Sequence, residues 1–243
     1  MVKQVVDHKE RRASDVDRMF SSIAPRYDLL NHILSFGLDK VWRRKVASET
    51  RKIDCQNILD VCTGTGDMAI ELSRQWKGKV HIEAVDFSQE LIDIGRKKLR
   101  KARLNGTISF GKSNAEALPY KDEQFDVVTI TFGLRNIMNR MQALKEFHRV
   151  TKSGGLFLCL EFSQPAHKVF SALYSFYLIK LVPLIAVVLG SDPDAYRYLG
   201  MTIKDFPTPQ KLVQLIESAQ WEDVQHVQLA GGIVALHQGR KKF

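Results

Sequence analysis

The sequence predicts an α/β fold, a mostly parallel sheet with helices on both faces, and three observations predict it. The stretch Asn57–Asp67 reads as an apolar strand that breaks at Gly64 and Gly66 and runs into a helix carrying Met68, Ala69, Ile70 and Leu72. A continuous apolar run marks a strand buried on both faces. Strand and helix patterns then alternate down the chain, which is how a parallel sheet is wound. Finally, 243 residues with 44% hydrophobic and 26% charged content, no repeat and no low-complexity tract are sufficient for one substantial domain.

Residues 1 to about 14 read as a frayed basic arm. From Val16 to Arg44 the apolar positions Met19, Phe20, Ile23, Leu29, Leu30, Ile33, Leu34, Leu38 and Trp42 predict two or three short helices before the first strand. Strand Asn57–Val61 leads to a helix from Asp67, and strand Val80–Val85 to a helix from Gln89. Strand Thr107–Phe110 enters a loop, strand Asp126–Phe132 precedes a helix from Arg140, and strand Gly155–Glu161 closes the run. A helix over Pro209–Ala219 and strands Val224–Leu229 and Ile233–Gln238, separated by Gly231-Gly232, bring the sheet to seven strands. The reading is a single domain over 1–243, with a helical cap over 1–50 and an apolar helical insertion over 165–207, after the fifth strand.

Between Phe170 and Gly190 the chain is apolar over a length that approaches a membrane span. Lys180 and Pro183 interrupt it and it lies within an α/β pattern, so a buried helix pair, or an apolar lid over a long apolar substrate, is expected instead. The net charge of +9 favours anionic contacts. Its densest cluster, Arg96, Lys97, Lys98, Arg100, Lys101 and Arg103, falls on one predicted helix. It reads as a solvated face suited to a helix C-terminus, an anionic membrane surface, or a nucleic-acid contact; charge alone does not choose. Cys55, Cys62 and Cys159 show no metal-type spacing, so no metal site is expected and a reduced, cytoplasmic setting is the simpler reading. A charged N-terminus where a signal peptide needs an apolar core argues against export.

The glycine turn lies at the carboxyl end of a strand, where open α/β sheets bind ligands. Gly64 and Gly66 allow close backbone approach, and the helix start offers N–H groups. Gly64-x-Gly66-x-x-Ala69 with Asp86 downstream also fits the loose dinucleotide fingerprint. Asp60, however, sets a carboxylate just before the loop, poor company for a pyrophosphate but suited to an ammonium group, directly or through water. Asp86, ending the second strand, suits ribose hydroxyls, or else caps the helix after Ser88. Asn114-Ala115-Glu116 after the third strand suits an adenine ring, or else is a turn. Thr65 caps the next helix or reaches a methionyl group. Together these stations describe S-adenosylmethionine, which has no phosphate.

The motifs extend well beyond the glycine loop. They include Met19-Phe20-Ser21-Ser22-Ile23-Ala24-Pro25-Arg26-Tyr27-Asp28, then Asn31, Ser35, Asp39 and Trp42-Arg43. Leu59-Asp60…Gly64-Thr65-Gly66-Asp67, Asn114-Ala115-Glu116-Ala117-Leu118-Pro119, Phe132-Gly133-Leu134-Arg135-Asn136 and Leu160-Glu161-Phe162-Ser163 follow. Tyr196-Arg197-Tyr198-Leu199 and Gly231-Gly232-Ile233-Val234-Ala235-Leu236-His237 complete the set. In these the chain resembles the ubiquinone/menaquinone C-methyltransferase family, a branch of the class I S-adenosylmethionine-dependent methyltransferases with a Rossmann-like fold. It departs at Cys62, where broader methyltransferase loops often carry glycine, and at Ala219-Gln220-Trp221, where the family usually has Ala-Gly-Phe.

The resemblance implies methylation of a ring carbon of a prenylated quinol in menaquinone or ubiquinone biosynthesis, with Thr65, Asp86, Asn114, Ala115 and Thr131 contacting the cofactor. Such chemistry needs a proton acceptor and a stabiliser for the oxyanion. Arg135 would stabilise the oxyanion or hold a water acting as base, Asn136 would orient the ring oxygen, and Tyr27 with Asn31 would close the pocket. His148 and His237 are further possible bases. A prenylated acceptor resides in a bilayer, so the 170–190 stretch and the basic helix predict reversible attachment to the inner face of an anionic membrane. A nucleic-acid methyltransferase is disfavoured, because no Asn/Asp-Pro-Pro-aromatic motif follows the fourth strand. A non-catalytic cofactor- or lipid-binding protein is disfavoured by the intact stations. Naphthoquinol or benzoquinol, the prenyl length, the identity of the base and the oligomeric state, a homodimer included, stay open.

Overall fold

The computed structural model describes Met19, Ile23, Ala24 and residues 27–102 and 106–242. The basic arm expected over 1–14, half of the 19–28 motif and Arg103 lie outside the described residues. Two helices, α1 (Tyr27–Leu34) and α2 (Leu38–Glu49), precede the sheet domain. Then come β1 (Asn57–Val61), α3 (Asp67–Gln75), β2 (His81–Asp86), α4 (Gln89–Ala102), β3 (Ile108–Lys112), β4 (Phe125–Thr131), α5 (Arg140–Val150) and β5 (Thr151–Phe162). The remainder is α6 (Lys168–Phe176), α7 (Val182–Val188), α8 (Pro193–Asp205), α9 (Pro209–Ser218), β6 (Glu222–Leu229) and β7 (Val234–Arg240).

The strands form one seven-stranded sheet in the order β3-β2-β1-β4-β5-β7-β6. The first five run parallel, while β7 is antiparallel to both β5 and β6. The strand order reverses between β1 and β4, the crevice where doubly wound sheets take ligands. Along β1, Leu59 and Val61 enter a core with Val128, Ile130, Phe147 and Phe157. Ile58 enters the opposite core with Met68, Leu72, Val127 and Leu158. Burial on both faces is why this strand is apolar at successive positions.

A third core packs Leu30 of α1 against Tyr174, Leu178, Val182, Ala186 and Tyr196. The apolar stretch is therefore no buried helix pair. Lys168–Val188 is one continuous helical run of 21 residues with mean hydropathy 1.9. A π-type turn at Tyr177–Leu181 joins α6 to α7, so the helix is irregular just where Pro183, with no N–H to donate, enters it. Tyr174, Leu178, Val182 and Ala186 are buried along one side, whereas Leu173, Phe176, Ile179, Leu184, Val187 and Val188 are exposed. The run is apolar on both sides, one packed against the protein and one exposed.

Candidate functional site

Two backbone reversals shape the crevice. Cys62, one residue past β1, has φ 54, and Phe132, one residue past β4, has φ 58. Phe132 was expected to end its strand, but the left-handed turn stops β4 at Thr131. The two turns press together, and a Cβ added to Gly133 would lie 2.4 Å from the Cβ of Cys62. That contact accounts for glycine at 133. Gly66 has φ 81 and begins α3 without a side-chain cap. The space beside it is filled by the Phe110 ring, 2.5 Å from where a Cβ would stand. Gly66 thus serves the turn and its packing against Phe110.

A cavity of about 240 Å³ occupies the carboxyl ends of the strands, lined by Gly64, Asp86, Asn114, Ala115, Thr131 and Asn136 among others. Asp86 holds the loop: Oδ2 accepts from the Gly64 N–H at 2.7 Å and Oδ1 from the Ser88 N–H at 2.9 Å. A carboxylate accepts up to about four donors, so this helix-capping role and ribose binding are compatible. Asn114 Oδ1 accepts from the Glu116 N–H at 3.0 Å, which shapes the turn presenting Ala115. Thr131 Oγ1 and Asn136 Oδ1 are buried and have no hydrogen-bond partner among the described residues. Buried polar atoms are nearly always paired, and these two line the cavity in which a polar ligand would pair them. That is the fit expected of an adenosine-bearing cofactor. Asn136 was expected at the ring oxygen of the acceptor; it lines this cavity and not the larger one described below.

Asp60 is fully buried, and its carboxylate accepts from the hydroxyls of Thr63 at 2.6 Å and Thr129 at 2.7 Å. Burial pushes its carboxyl up to about 6, against the pull of those hydroxyls. Thr65 neither caps α3 nor points at open space. Its hydroxyl donates to Asp28 at 2.5 Å and accepts from Lys98 at 3.0 Å, and Lys98 also pairs with Asp28 and Asp67. Lys98 belongs to the basic cluster, so one of those cations serves to join α1 to the glycine loop.

A second cavity, about 320 Å³, shares Cys62, Gly64, Thr131 and Phe132 with the first. Phe170, Leu173, Tyr174, Tyr177, Leu178 and Val182 of the apolar run line it, and Leu34, Phe36 and Leu38 of the N-terminal helices and their turn complete the apolar wall. Phe132 stacks on Phe162 at 4.5 Å, and Trp42 meets Phe132 edge-on at 6.0 Å. Such an aromatic wall suits a flat ring. Asn31 and Arg135 also line this cavity. Arg135 is buried and ion-paired with Glu161 at 2.9 Å, with its guanidinium above Phe162. Its Nε and the hydroxyl of Tyr174 have no partner among the described residues, so both are donors available to an oxygen in the cavity. Tyr27 begins α1, and its side chain lies outside the described residues.

The sequence matches the ubiE/COQ5 methyltransferase family over residues 5–241. The chain belongs to the ubiE/COQ5 methyltransferase family. It is 40% identical to the ubiquinone/menaquinone biosynthesis C-methyltransferase UbiE of Geotalea uraniireducens (strain Rf4), covering 95% of this chain and 97% of that protein. It is 38% identical to UbiE of Proteus mirabilis (strain HI4320), covering 98% and 94%. Among solved structures, an S-adenosylmethionine-dependent methyltransferase from Aquifex aeolicus superposes with TM-score 0.61 at 19% identity, over 83% of this chain and 90% of that one. The [4+2]-cyclase SpnF superposes with TM-score 0.63 at 17% identity, over 96% and 97%. These two show the fold. With the family, they make the chain an S-adenosylmethionine-dependent C-methyltransferase of Rossmann-like, class I architecture.

In this methyltransferase neither candidate histidine lines either cavity. His148 stands edge-on to Trp221 at 5.2 Å. His237 is buried, with Nε2 3.1 Å from the Pro209 carbonyl, and burial pushes its imidazole down to about 4. Sequence reasoning missed Tyr174, hidden in an apolar run, and Glu161, the partner of Arg135. It also assigned no role to Ser35, Asp39 and Arg43, although all three sit in the matched motif and line the larger cavity.

Proposed function

We propose that this enzyme methylates a ring carbon of a prenylated quinol held in the larger cavity, in menaquinone or ubiquinone biosynthesis. The observation that carries the reading is the joining of two unlike cavities at Cys62, Gly64, Thr131 and Phe132. One presents acceptors and donors suited to S-adenosylmethionine; the other is an aromatic slot under an apolar lid. S-adenosylmethionine supplies an electrophilic methyl group on a sulfonium. The protein's part is to orient the ring carbon, exclude water and manage charge on the ring oxygen. Asp86, Asn114, Ala115, Thr131 and Asn136 would hold the nucleoside, Asp60 would balance the ammonium, and Gly64 and Thr65 would shape the loop. The Arg135 Nε and the Tyr174 hydroxyl would donate to the developing oxyanion. Tyr27 and Asn31 would close the slot from α1, making residues 1–50 a cap and 165–207 a lid on one domain.

The same lid supports attachment to a membrane surface. Its outer side exposes Val169, Leu173, Phe176, Ile179, Leu184, Val187 and Val188, and the α1–α2 turn adds Phe36. Phe36 lies 6.0 Å from Tyr177 of the lid, so the two apolar surfaces meet. A helix with one side in the protein and an apolar side outward fits shallow burial among acyl chains, where the acceptor's tail resides. The +9 charge favours an anionic leaflet.

The test is incubation of purified protein with S-adenosylmethionine and two reduced acceptors, a demethylmenaquinol and a prenylated methoxybenzoquinol, followed by mass spectrometry. Methylation on a ring carbon of one acceptor, or of both, is expected. Cofactor binding with neither acceptor methylated would contradict the reading.

A further inference from the structure

The methionyl end of S-adenosylmethionine carries an ammonium and, one carbon away, a carboxylate. Asp60 suits the ammonium, but a carboxylate there would face Asp39, Asp60 and Asp67, the acidic residues that line the larger cavity. Like charges at such range repel, so a cation has to stand among them. Among the described residues, two cations line this cavity, Arg43 and Arg135. Arg135 is paired with Glu161 above the Phe162 ring. Arg43 of α2 stands within the acidic group, with its side chain only 11% exposed. Its Nη1 donates to Asp39 Oδ2, while its Nη2 is 3.9 Å from Asp67 Oδ2, too far for a hydrogen bond. Its charge also favours the ionised form of Asp60. Lys98, the other cation near the glycine loop, is taken up by Asp28, Thr65 and Asp67.

The guanidinium is held by one edge. Asp39 Oδ1 accepts from the Ser35 hydroxyl at 3.0 Å, and its Oδ2 lies 2.6 Å from His32 Nδ1. Gly37, at φ 75, folds α2 back so that residues seven apart meet. Although burial alone would raise the Asp39 carboxyl, Arg43, Ser35 and His32 together hold it below the usual range. Asp39 therefore stays ionised and fixes Nη1, which leaves the Nη2 edge of the planar fork for a second anion. That edge is beside Asp67, the first residue of α3, a helix that begins without a side-chain cap and so has first-turn N–H groups to offer as well.

We infer that Arg43 binds the α-carboxylate of S-adenosylmethionine through its Nη2 edge, beside the start of α3. Asp60 and Arg43 then read the methionyl end as a zwitterion, and the cofactor is distinguished from adenosine compounds that lack the carboxylate. The inference draws on the placing of the ammonium at Asp60 proposed above and is independent of which acceptor is methylated.

The test is titration calorimetry on wild type, Arg43→Gln, Arg43→Lys and Asp60→Asn with two probes. These are S-adenosylmethionine and decarboxylated S-adenosylmethionine, which keeps the sulfonium and the ammonium. Hydrogen bonds to charged groups are worth roughly a ten- to hundredfold change in Kd. Wild type should prefer S-adenosylmethionine by about that factor. Arg43→Gln should abolish the preference by weakening S-adenosylmethionine alone, with the decarboxylated probe bound no more weakly than by wild type. Arg43→Lys, which keeps the charge beside Asp39, should lose part of the preference. Equal binding of the two probes by wild type overturns the inference even if Arg43→Gln fails to fold. A preference left intact in both Arg43 variants overturns it too, as does weakening of both probes by the same factor, the result of a merely structural link to Asp39. Asp60→Asn should weaken both probes alike. If it weakens neither, the ammonium reading fails, while a preference lost in Arg43→Gln still supports the carboxylate anchor.

Discussion

Arg135 and Glu161 form a two-point clamp: the Arg135 guanidinium donates to Glu161 Oε1 at 2.9 Å, and the Arg135 backbone N–H donates to Oε2 at 3.1 Å. Glu161 is at the carboxyl end of β5 and Arg135 in the turn after β4, so the pair ties together the two strand ends beside the cavity. Breaking a buried pair by removing one partner costs about 3–5 kcal/mol, because the other charge is left unmatched. Glu161→Ala should lower unfolding stability by about that amount in a denaturant titration. Arg135→Ala should do likewise and also lose most turnover per folded molecule, with cofactor affinity nearly intact. Unchanged turnover would remove Arg135 from the chemistry.

Asp60 makes cofactor binding depend on pH. Its carboxyl is pushed up from 3.8 to about 6 by burial. The folded protein therefore holds this proton more tightly than the unfolded chain. The stability contributed is complete below 3.8 and is lost as pH rises to about 6. A bound cation reverses the preference by favouring the ionised form. Cofactor affinity should accordingly be weak below pH 6 and rise through it to a plateau. Titration calorimetry across this range should show the step in wild type and lose it in Asp60→Asn.

The turn after α9 has a residue ill suited to its backbone. Gln220 has φ 72, in the position after a helix end where glycine is favoured. Its neighbour Trp221 is buried and stacked on Phe157 at 4.9 Å, so the anchored indole fixes the turn. Gln220→Gly should stabilise by about 1 kcal/mol, raising the melting temperature by roughly 2–4 °C. A lower melting temperature would contradict this.

Gly133 has the opposite sensitivity. A methyl group there would overlap the Cys62 Cβ and lie 3.3 Å from Ile130 Cγ1. Gly133→Ala should separate the strand ends under both cavities, costing about 1–3 kcal/mol and weakening cofactor binding. Calorimetry on the folded variant checks the second effect.

The lid's outer side should govern membrane attachment. Leu184→Asp with Val188→Asp, both exposed and outside the cavity lining, should reduce flotation with liposomes while leaving turnover on a water-soluble short-prenyl acceptor intact. Flotation should also be greater with anionic than with neutral vesicles. Equal flotation with both would remove charge from the account.

Much of the fold was legible locally. β1 was readable to the residue because both faces of the strand are buried, and α3, α4 and α5 begin where acidic, polar or capping residues come after a strand. Asp86 and Asn114 were legible as positions at or just past strand ends, whereas Thr131 came only from the family resemblance; all three line one cavity. The features that stayed hidden depend on contacts between distant segments. Thr65 meets Asp28, and Arg135 meets Glu161, across separations no local pattern encodes. His32 meets Asp39 only because the Phe36-Gly37 turn reverses the chain. Phe132 looked like strand by apolarity, but it reverses in a left-handed turn against Gly133 and Cys62. The 170–190 stretch was equally apolar on both sides, so only packing distinguishes the roof of the cavity from the outward face, and a π turn carries the helix up to Pro183.

The central claim is that the lidded cavity holds the acceptor's apolar tail beside the cofactor groove. It is tested most directly by comparing kcat/KM for one quinol ring with and without a single isoprene unit, both soluble without membranes. Burying about four methylene equivalents is worth on the order of 3 kcal/mol, and therefore on the order of a hundredfold. The account predicts a preference of that size for the prenylated ring, reduced when Leu178 or Val182 is replaced by a polar residue. Equal kcat/KM for the two rings would contradict it.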